Sequence, residues 1–271
     1  MTKRERFEFR TNALNRSLRA TRDAGTLDDL IAAMSGLTDW WDFNSDRITG
    51  TTTQSIANRV NGGDAMAEDG TYSGLVVGTT GLPRGGQMIA CGTMDADTVL
   101  SLGSFPNAAN AVWTQVICFR MDESTTIENR TDYLWRGPAG GSQNHFMYCS
   151  SSRVYAGVGS AGSYLTVDIN QPMGAWTYAI RSWNNSTKVG KLAVGNTTIG
   201  DTDTGVAQNQ NQTTHYIGGH PTSPSFRGRI GPALLFYGTS AAVGDLFDAS
   251  RTADLAVIGQ YCDAQIGRLS L

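Results

Sequence analysis

Between residues 39 and 237 the sequence is a series of short segments in which apolar and polar residues alternate, separated by glycine-containing turns. The clearest segment, Val112–Met121 (VWTQVICFRM), alternates well enough to predict a half-buried central strand. The chain contains 32 glycines and only 7 prolines, a balance that fits many tight turns and not a disordered chain. About a dozen such segments, with turn signals roughly every 8 to 12 residues, indicate an antiparallel sandwich or barrel rather than a parallel α/β sheet.

The other strand candidates follow the same alternation. They are residues 40–43, 72–77, 87–90, 98–102, 133–136, 145–149, 154–158, 164–169, 176–183, 191–194, 215–218 and 226–237. The clearest hairpin turns at Asn184, Asn185 and Ser186, since asparagine tolerates the positive φ angles that tight hairpins need. Alternation also predicts the following core residues: Trp41, Phe43, Trp113, Ile117, Trp176, Ile180, Ile230 and Leu235.

Helical segments are predicted near both ends of the sequence. Residues 2–22 lack glycine and proline, and their few apolar residues can share one helix face. A second short helix is predicted after Thr26, an N-cap with Asp29 three residues later, and Gly36 is its stop signal. Residues 250–266 predict a C-terminal helix. We therefore divide the chain into a helical docking arm, residues 1–37, and a sandwich with a C-terminal helix, residues 38–271.

The charge is unevenly distributed along the chain. Residues 1–22 contain seven basic and two acidic side chains, a balance of +5, whereas the whole chain carries −3. A net negative chain gives no reason to expect nucleic acid as a partner. The basic segment is either a solvated helix or an arm that docks on an acidic partner surface. For docking, the candidate contacts are Arg4, Arg6, Phe7, Arg10, Leu14 and Leu18.

Several short motifs follow one another in a family-like order. They are WWDF at residues 40–43, DTVLSL at 97–102, WTYAI at 176–180, KLAVGN at 191–196, and IGG at 217–219 followed by FRGRIG at 226–231. In order and spacing they resemble strands of the laminin-G-like or concanavalin A-like jelly-roll superfamily. The resemblance implies an all-β, antiparallel jelly-roll sandwich across residues 38–238. It implies no single function, because this fold hosts lectins, adhesion modules, glycosidases and structural domains.

Enzymatic alternatives are poorly matched by the sequence. Glycoside hydrolysis needs two carboxyl groups flanking one bond, and the jelly-roll glucanases carry them in an E-x-D-x-x-E pattern. Glu123 and Glu128 have this spacing, but Thr125 stands at the middle position and the segment has the polarity of a loop. The chain has three separated histidines and no G-x-S-x-G motif for a hydrolase triad. We therefore expect a protein that is not an enzyme.

The sequence indicates neither a metal centre nor reactive thiols. Two short carboxylate pairs are present, Asp95 with Asp97 and Asp201 with Asp203. Hard cations prefer such oxygen ligands, so calcium stays an open alternative to solvated turns, although we predict no metal and no cofactor. The four cysteines form no C-x-x-C pair, and Cys118 and Cys149 are predicted to be buried free thiols.

One stretch has the composition of a glycan site. A sugar needs an aromatic platform for its CH face and polar groups for its hydroxyls, and the two strands around the loop GPAGGSQ supply this mixture. The candidate contacts are Trp135, Arg136, Asn144, His145 and Tyr148, with Asn184 and Asn185 of the hairpin as further candidates. The structural alternative is that Trp135 and Tyr148 are core residues of two paired strands.

The combined features favour a non-enzymatic, lectin-like attachment or structural protein of a tailed phage, or of a phage-like particle such as a gene transfer agent. In this hypothesis the arm docks to a particle protein or a sister subunit, within a homo-oligomer or larger assembly, and the sandwich faces a cell-surface glycan. No apolar stretch resembles a secretion signal or a membrane span, so we expect synthesis in a host cytoplasm and location on the virion. The alternatives are a secreted or surface carbohydrate-binding protein and a jelly-roll glycan-degrading enzyme.

Overall fold

Two antiparallel sheets make up most of the part of the chain that the structure describes, which confirms the predicted all-β sandwich. In this computed structural model the described residues are 26–42, 48–49, 55–60, 65–68, 76–78, 88–91, 100–102, 105, 108–121, 132–137, 145–150, 153–158, 164–169, 174–195, 197–203, 214–219, 226 and 228–266. A C-terminal helix completes the predicted fold class.

The strands form one sheet of eight and one of nine within these ranges. In chain order they are β1 (Leu37–Trp41), β2 (Ile48–Thr49), β3 (Ser55–Ile56), β4 (Met66–Glu68), β5 (Val76–Gly78), β6 (Met88–Cys91), β7 (Leu100–Leu102), β8 (Val112–Met121), β9 (Asp132–Arg136), β10 (His145–Ser150), β11 (Arg153–Val158), β12 (Tyr164–Asp168), β13 (Trp176–Asn184), β14 (Val189–Val194), β15 (Thr197–Asp203), β16 (His215–Ile217) and β17 (Gly228–Gly238). Sheet A has the order β15-β14-β13-β8-β17-β6-β5, with β1 also paired to β17. Sheet B has the order β12-β11-β10-β9-β16-β7-β4-β3-β2.

Two of the three α-helices in the described chain lie near their predicted positions. Helix α1 (Leu27–Ala32) begins after Thr26, which forms the predicted capping box with Asp29. The third, helix α2 (Ala241–Gly244), is short and was not predicted, and a 3₁₀ turn precedes helix α3 (Thr252–Gln265), the predicted C-terminal helix. No helix in the described ranges has the length and apolar character needed to cross a membrane. The docking-arm candidates all lie outside the described residues.

The central strand β8 is buried on both faces, which corrects the prediction of a half-buried strand. Trp113 and Ile117 face sheet B, whereas Val116 and Cys118 face the helices. The second face is buried because helices α1 and α3 pack on the outer side of sheet A. Alternation along β8 shows the two faces correctly, but it cannot show that both are covered.

Most of the predicted core residues lie between the two sheets. These are Trp41, Trp113, Ile117, Ile230 and Leu235. Ala179 and Trp183 of strand β13 belong to the same core cluster. Ile180 and Trp176 lie one and three residues from Ala179, so they project to the opposite face and pack against the helices. Trp176 is only half buried there, and Phe43 lies outside the described residues. The cysteines predicted to be buried free thiols, Cys118 and Cys149, are buried and free, as is Cys262.

A group of polar contacts fastens the helices to the outer side of sheet A. Trp40 Nε1 donates a 2.9 Å hydrogen bond to Tyr261 Oη. The Arg59 guanidinium lies 3.8 Å from the centre of the Trp40 ring and pairs with Asp28 at 2.9 Å and Asp42 at 3.0 Å. Among the residues that the structure describes, no strand of sheet B contributes to the apolar cluster between sheet A and these helices. The outer side of sheet B is therefore the one that these helices leave uncovered.

The β13–β14 hairpin forms at its predicted place but with a different turn chemistry. Lys188, not an asparagine, has the positive φ angle, 60°. Asn184 Oδ1 accepts hydrogen bonds from the backbone N–H groups of Ser186 and Thr187. Asn185 is buried, and its side-chain amide donates to the Ala108 carbonyl. Asn184 is thus occupied by the turn and Asn185 by its bond to Ala108, and burial removes Asn185 from the accessible glycan candidates.

Candidate functional site

An irregularity in β9 decides which side chains reach the outer side of sheet B. Met147 of β10 lies opposite Trp135, but Tyr148 lies opposite Tyr133, so Leu134 is an extra residue in β9. In a regular strand Tyr133 and Trp135 would share one face. This β-bulge instead sends both Leu134 and Trp135 into the core and leaves Tyr133 outside.

The bulge corrects the predicted role of Trp135. Its side chain is 0% exposed and packs edge-on against Trp41, with ring centroids 6.3 Å apart, so neither ring face is open to a sugar. His145 is also 0% exposed, because it alternates inward from its neighbour Phe146. For Trp135 the structural alternative, a core residue of paired strands, is therefore correct. Tyr148 differs, since it is partly exposed.

Aromatic side chains occupy the outer side of sheet B. We call the following partly exposed residues the aromatic face: Tyr133, Arg136, Phe146, Tyr148, Tyr155 and Tyr216. Strand pairing sets Tyr148 directly opposite both Tyr133 on β9 and Tyr155 on β11. Three tyrosines therefore form one row across three neighbouring strands.

The row is a continuous series of ring contacts. Tyr148 and Tyr155 are stacked, with centroids 4.8 Å apart and planes inclined by 6°. Tyr133 meets Tyr148 edge-on at 5.8 Å, and the Arg136 guanidinium lies 4.2 Å from the centre of the Tyr133 ring. Each ring restrains its neighbour, so the row can present a fixed platform to a ligand.

Polar groups border this platform on two sides. Arg136 lies opposite both Phe146 and Tyr216, which forms a second row beside the first. Thr166 of β12 lies opposite Tyr155 and continues the first row towards the edge of the sheet. The face therefore combines apolar ring surfaces with hydroxyl and guanidinium groups, the two kinds of contact that a sugar requires.

Sequence reasoning identified part of this face. Of the predicted candidates, Arg136 and Tyr148 belong to it, Trp135 and His145 lie in the core, and Asn144 is outside the described residues. It missed Tyr133, Phe146, Tyr155 and Tyr216. Alternation in the segments HFMYC and RVYAG could have found Phe146 and Tyr155, because each stands on the outward phase of its strand.

The other chemical candidates stay untested predictions. Glu123, Glu128, Asp95, Asp97 and His220 lie outside the described residues. Asp201 and Asp203 lie in strand β15 and not in the predicted solvated turn, and their side chains are not described. Among the residues with described positions, no cluster of three or more His, Cys, Asp or Glu side chains could hold a metal ion.

Directly behind the aromatic face, Arg181 of sheet A reaches across the core to sheet B. Its side chain is 1% exposed. Its Nη1 donates to the Phe146 carbonyl at 2.9 Å, and its Nη2 donates to the Gly157 carbonyl at 2.7 Å. The guanidinium carbon also lies 4.8 Å from the centre of the Trp113 ring. Burial lowers the pKa of Arg181 to about 9, so the group is still a cation at neutral pH.

Two buried histidines pack in the same part of the core. The rings of His145 and His215 are stacked with centroids 4.2 Å apart. Phe105 stacks on both of them, at 4.5 Å from His145 and 3.6 Å from His215. Burial and, to a smaller extent, the positive charge of Arg181 lower the pKa of His215 well below its ordinary value. His215 is therefore neutral at neutral pH.

Comparison with known proteins gives the fold but no family. No protein-family model matches the chain, and no curated protein matches it in sequence. A sialidase from Trypanosoma rangeli, solved with the inhibitor DANA, is 9% identical with a TM-score of 0.53, over 83% of this chain and 36% of that one. The binding domain of botulinum neurotoxin serotype D is 6% identical with a TM-score of 0.56, over 81% of this chain and 51% of that one.

These likenesses define the class of the protein as a two-sheet antiparallel β-sandwich. The chain spans only about a third of the sialidase chain and half of the toxin domain, as the 36% and 51% coverages state. At such low identities the likeness is one of fold alone.

Proposed function

We propose that this chain is a non-enzymatic carbohydrate-binding module whose ligand lies along the aromatic face. The observation that carries the proposal is the row of Tyr133, Tyr148 and Tyr155 on the side of the sandwich that the helices leave uncovered. Tyrosine rings offer flat apolar surfaces to sugar CH groups, and their hydroxyls can exchange hydrogen bonds with sugar hydroxyls.

The shape of the row favours a particular kind of glycan. It extends over two strand-to-strand steps of about 4.8 Å each, so the platform is long and follows the surface of the sheet. Such a surface suits a stretch of polysaccharide chain better than one enclosed sugar. Arg136 at one end and Thr166 at the other are placed to bond hydroxyl or carboxylate groups of that chain.

Replacing Tyr148 with alanine tests this proposal. We expect the dissociation constant for the best-binding polysaccharide to rise at least tenfold, about 1.4 kcal/mol, because the variant lacks the middle ring of the row. A carbohydrate microarray selects the polysaccharide, and isothermal titration calorimetry measures its affinity. The matched control is Tyr237→Ala, which removes a half-buried tyrosine from β17 of sheet A. Unchanged affinity in a folded Tyr148→Ala variant would contradict the assignment of the site.

The non-enzymatic part of the proposal is supported by the sequence around Glu123 and Glu128, where Thr125 replaces the middle carboxylate of the glucanase pattern. The same incubations decide between binding and cleavage. The enzyme alternative would gain support if the bound polysaccharide acquired new reducing ends, and if Glu123→Gln or Glu128→Gln prevented this.

The particle hypothesis is the finer part of the proposal. We infer that the module belongs to a phage or phage-like virion, with the basic segment at residues 1–22 docked to a particle protein or sister subunit and the sandwich turned outward. Helix α1, the later part of the predicted arm, instead packs on the module's own sheet A. The support for docking is the +5 charge of residues 1–22 set against a chain of net charge −3. The competing candidate is a secreted or surface carbohydrate-binding protein, which would be found free rather than with particles.

Deleting residues 1–24 should abolish association with particles and leave the sandwich folded. The reason is that a basic helix with a thin apolar stripe gains most of its order from a partner. Co-sedimentation with particles and thermal melting of the purified variant are the measurements. Reversing charge at Arg4, Arg6 and Arg10 to glutamate should also abolish association, while deletion of residues 267–271 serves as the control. Normal incorporation of the truncated chain, or a lower melting temperature, would contradict docking by the arm.

A further inference from the structure

The buried Arg181 is attached to the two strands that carry the stacked tyrosines. Its two Nη atoms bond the carbonyls of Phe146 on β10 and Gly157 on β11, and these two residues lie opposite each other in the sheet. The next outward-facing pair along the same two strands is Tyr148 with Tyr155. One guanidinium from sheet A therefore ties β10 to β11 directly beside the centre of the aromatic face.

The two buried histidines are joined to the aromatic face by the strand backbone. His145 points inward and the next residue, Phe146, points outward. His215 points inward and the next residue, Tyr216, points outward. Because neighbouring residues of a strand project to opposite faces, a displacement of either histidine moves an aromatic-face residue with it.

Among the described residues, the charged group that contacts this cluster is the cation Arg181. Sheet A contributes the cation Arg181 and the neutral Gln115, whose Oε1 lies 3.5 Å from Arg181 Nη1, while sheet B contributes the two histidines. The carboxylates with buried oxygens among the described residues include Asp42, paired with Arg59, Asp245, paired with Lys191, and Asp263 on helix α3. A proton on His215 is therefore repelled by the cation Arg181, and no carboxylate among the described residues offsets this repulsion.

We propose that this interior cluster makes the aromatic face acid-sensitive: protonation of His215 opens sheet B around β10 and β16, and the opening weakens glycan binding. The ligand part of the proposal rests on the proposed function, whereas the opening itself does not. Arg181 acts here as a positioning residue, because it holds the strands that carry the rings and contacts no ligand itself.

The direction of the pH effect follows from proton linkage. The closed form holds His215 neutral, and an opened form exposes it to water, where its ordinary pKa is about 6.5. Protons therefore bind the opened form as the pH falls below that value, and the closed form loses stability. Between pH 7.5 and 5.5 one such histidine increases the opening equilibrium constant about tenfold. Above pH 7.5 little change is expected.

Hydrogen exchange measured by mass spectrometry on the full-length chain tests the opening without any ligand. After correction for intrinsic exchange rates, peptides covering residues 145–158 and 214–217 should show an opening constant at least tenfold larger at pH 5.5 than at pH 7.5. Peptides from helix α3, which packs on the other sheet, should change much less. Two substitutions, His215→Phe and His215→Gln, should each reduce the acid effect. Two are used because the phenyl ring keeps the stacking on Phe105 and the amide keeps the polarity.

The effect of pH on binding is measured with dextran, laminarin, hyaluronan and bacterial lipopolysaccharide as probes. A probe that binds at pH 7.5 should bind at least tenfold more weakly at pH 5.5 to the wild-type chain, and should weaken by a smaller factor in the His215 variants. Exchange rates that do not depend on pH, or that depend on it equally in the His215 variants, would overturn the proposal. Acid opening with unchanged affinity would overturn its link to binding. If no probe binds at pH 7.5, the proposed function fails, while the exchange result still decides the acid opening.

Discussion

Replacing Trp135 with alanine is expected to lower the free energy of unfolding by about 3–5 kcal/mol, the usual cost of removing a large buried ring. The side chain is 0% exposed, belongs to the core between the sheets and contacts Trp41. Urea denaturation followed by fluorescence or circular dichroism measures the loss. The matched control is Trp176→Ala, which should cost less because that ring is only half buried on the helix side of sheet A.

The same variant decides whether the bulge in β9 is correctly placed. Trp135→Ala should retain glycan binding under conditions where it is folded, since the ring lies on the opposite face from Tyr133 and Tyr148. A variant with full stability and lost binding would place Trp135 at the ligand. That outcome would support the prediction from the sequence that Trp135 contacts the glycan, and would contradict the bulge that places its ring in the core.

The sequence predicted the strands, caps and turns that depend on residues close together in the chain. Alternation gave β8 its observed limits, and the Thr26–Asp29 pair marked the start of helix α1. The hairpin between β13 and β14 was also predicted, although Lys188 and not an asparagine adopts the positive φ angle. These features depend on residues a few positions apart, which a single sequence displays.

Features that depend on distant partners were not predictable in this way. The bulge at Leu134 is defined by the register between β9 and β10, and one extra residue was enough to exchange the faces of Tyr133 and Trp135. The strands β2, β3 and β4 were missed because two or three residues are too few to display alternation. Burial of β8 on both faces follows from helices that lie far away in the sequence.

The polar interior was the least predictable part of the site. Arg181 stands in the segment AIRSW, where a strand pattern gives an arginine an outward or edge position by default. Its burial makes sense only when Phe146 and Gly157 of the other sheet supply acceptors. In the same way, His145 and His215 lie 70 positions apart (215 minus 145) and become neighbours only when the sheets pack. Sequence reasoning therefore found aromatic-face members but not the cluster that supports them.

Arg181 is expected to be among the most sensitive positions of the fold. Arg181→Ala should lower the free energy of unfolding by about 3–5 kcal/mol. The substitution leaves a cavity over Trp113 and removes the hydrogen-bond donors of two buried carbonyls. An opposing effect is relief from burying a cation, which costs several kcal/mol by itself. Urea denaturation measures the net change, and an Arg181→Ala variant as stable as wild type would contradict the prediction.

Arg181→Met separates the two effects, because methionine keeps much of the apolar stem and removes the charge. Each carbonyl that loses its donor costs about 1–3 kcal/mol, so we expect Arg181→Met to be destabilised less than Arg181→Ala but still below wild type, and to bind glycan more weakly. A methionine variant at least as stable as wild type would mean that burying the cation costs more free energy than its hydrogen bonds to β10 and β11 contribute.

A double-mutant cycle of Arg181→Met with His215→Phe measures the coupling free energy between the two groups. The coupling should be larger at pH 5.5 than at pH 7.5, because the cation at Arg181 opposes a proton on His215 only when that proton is available.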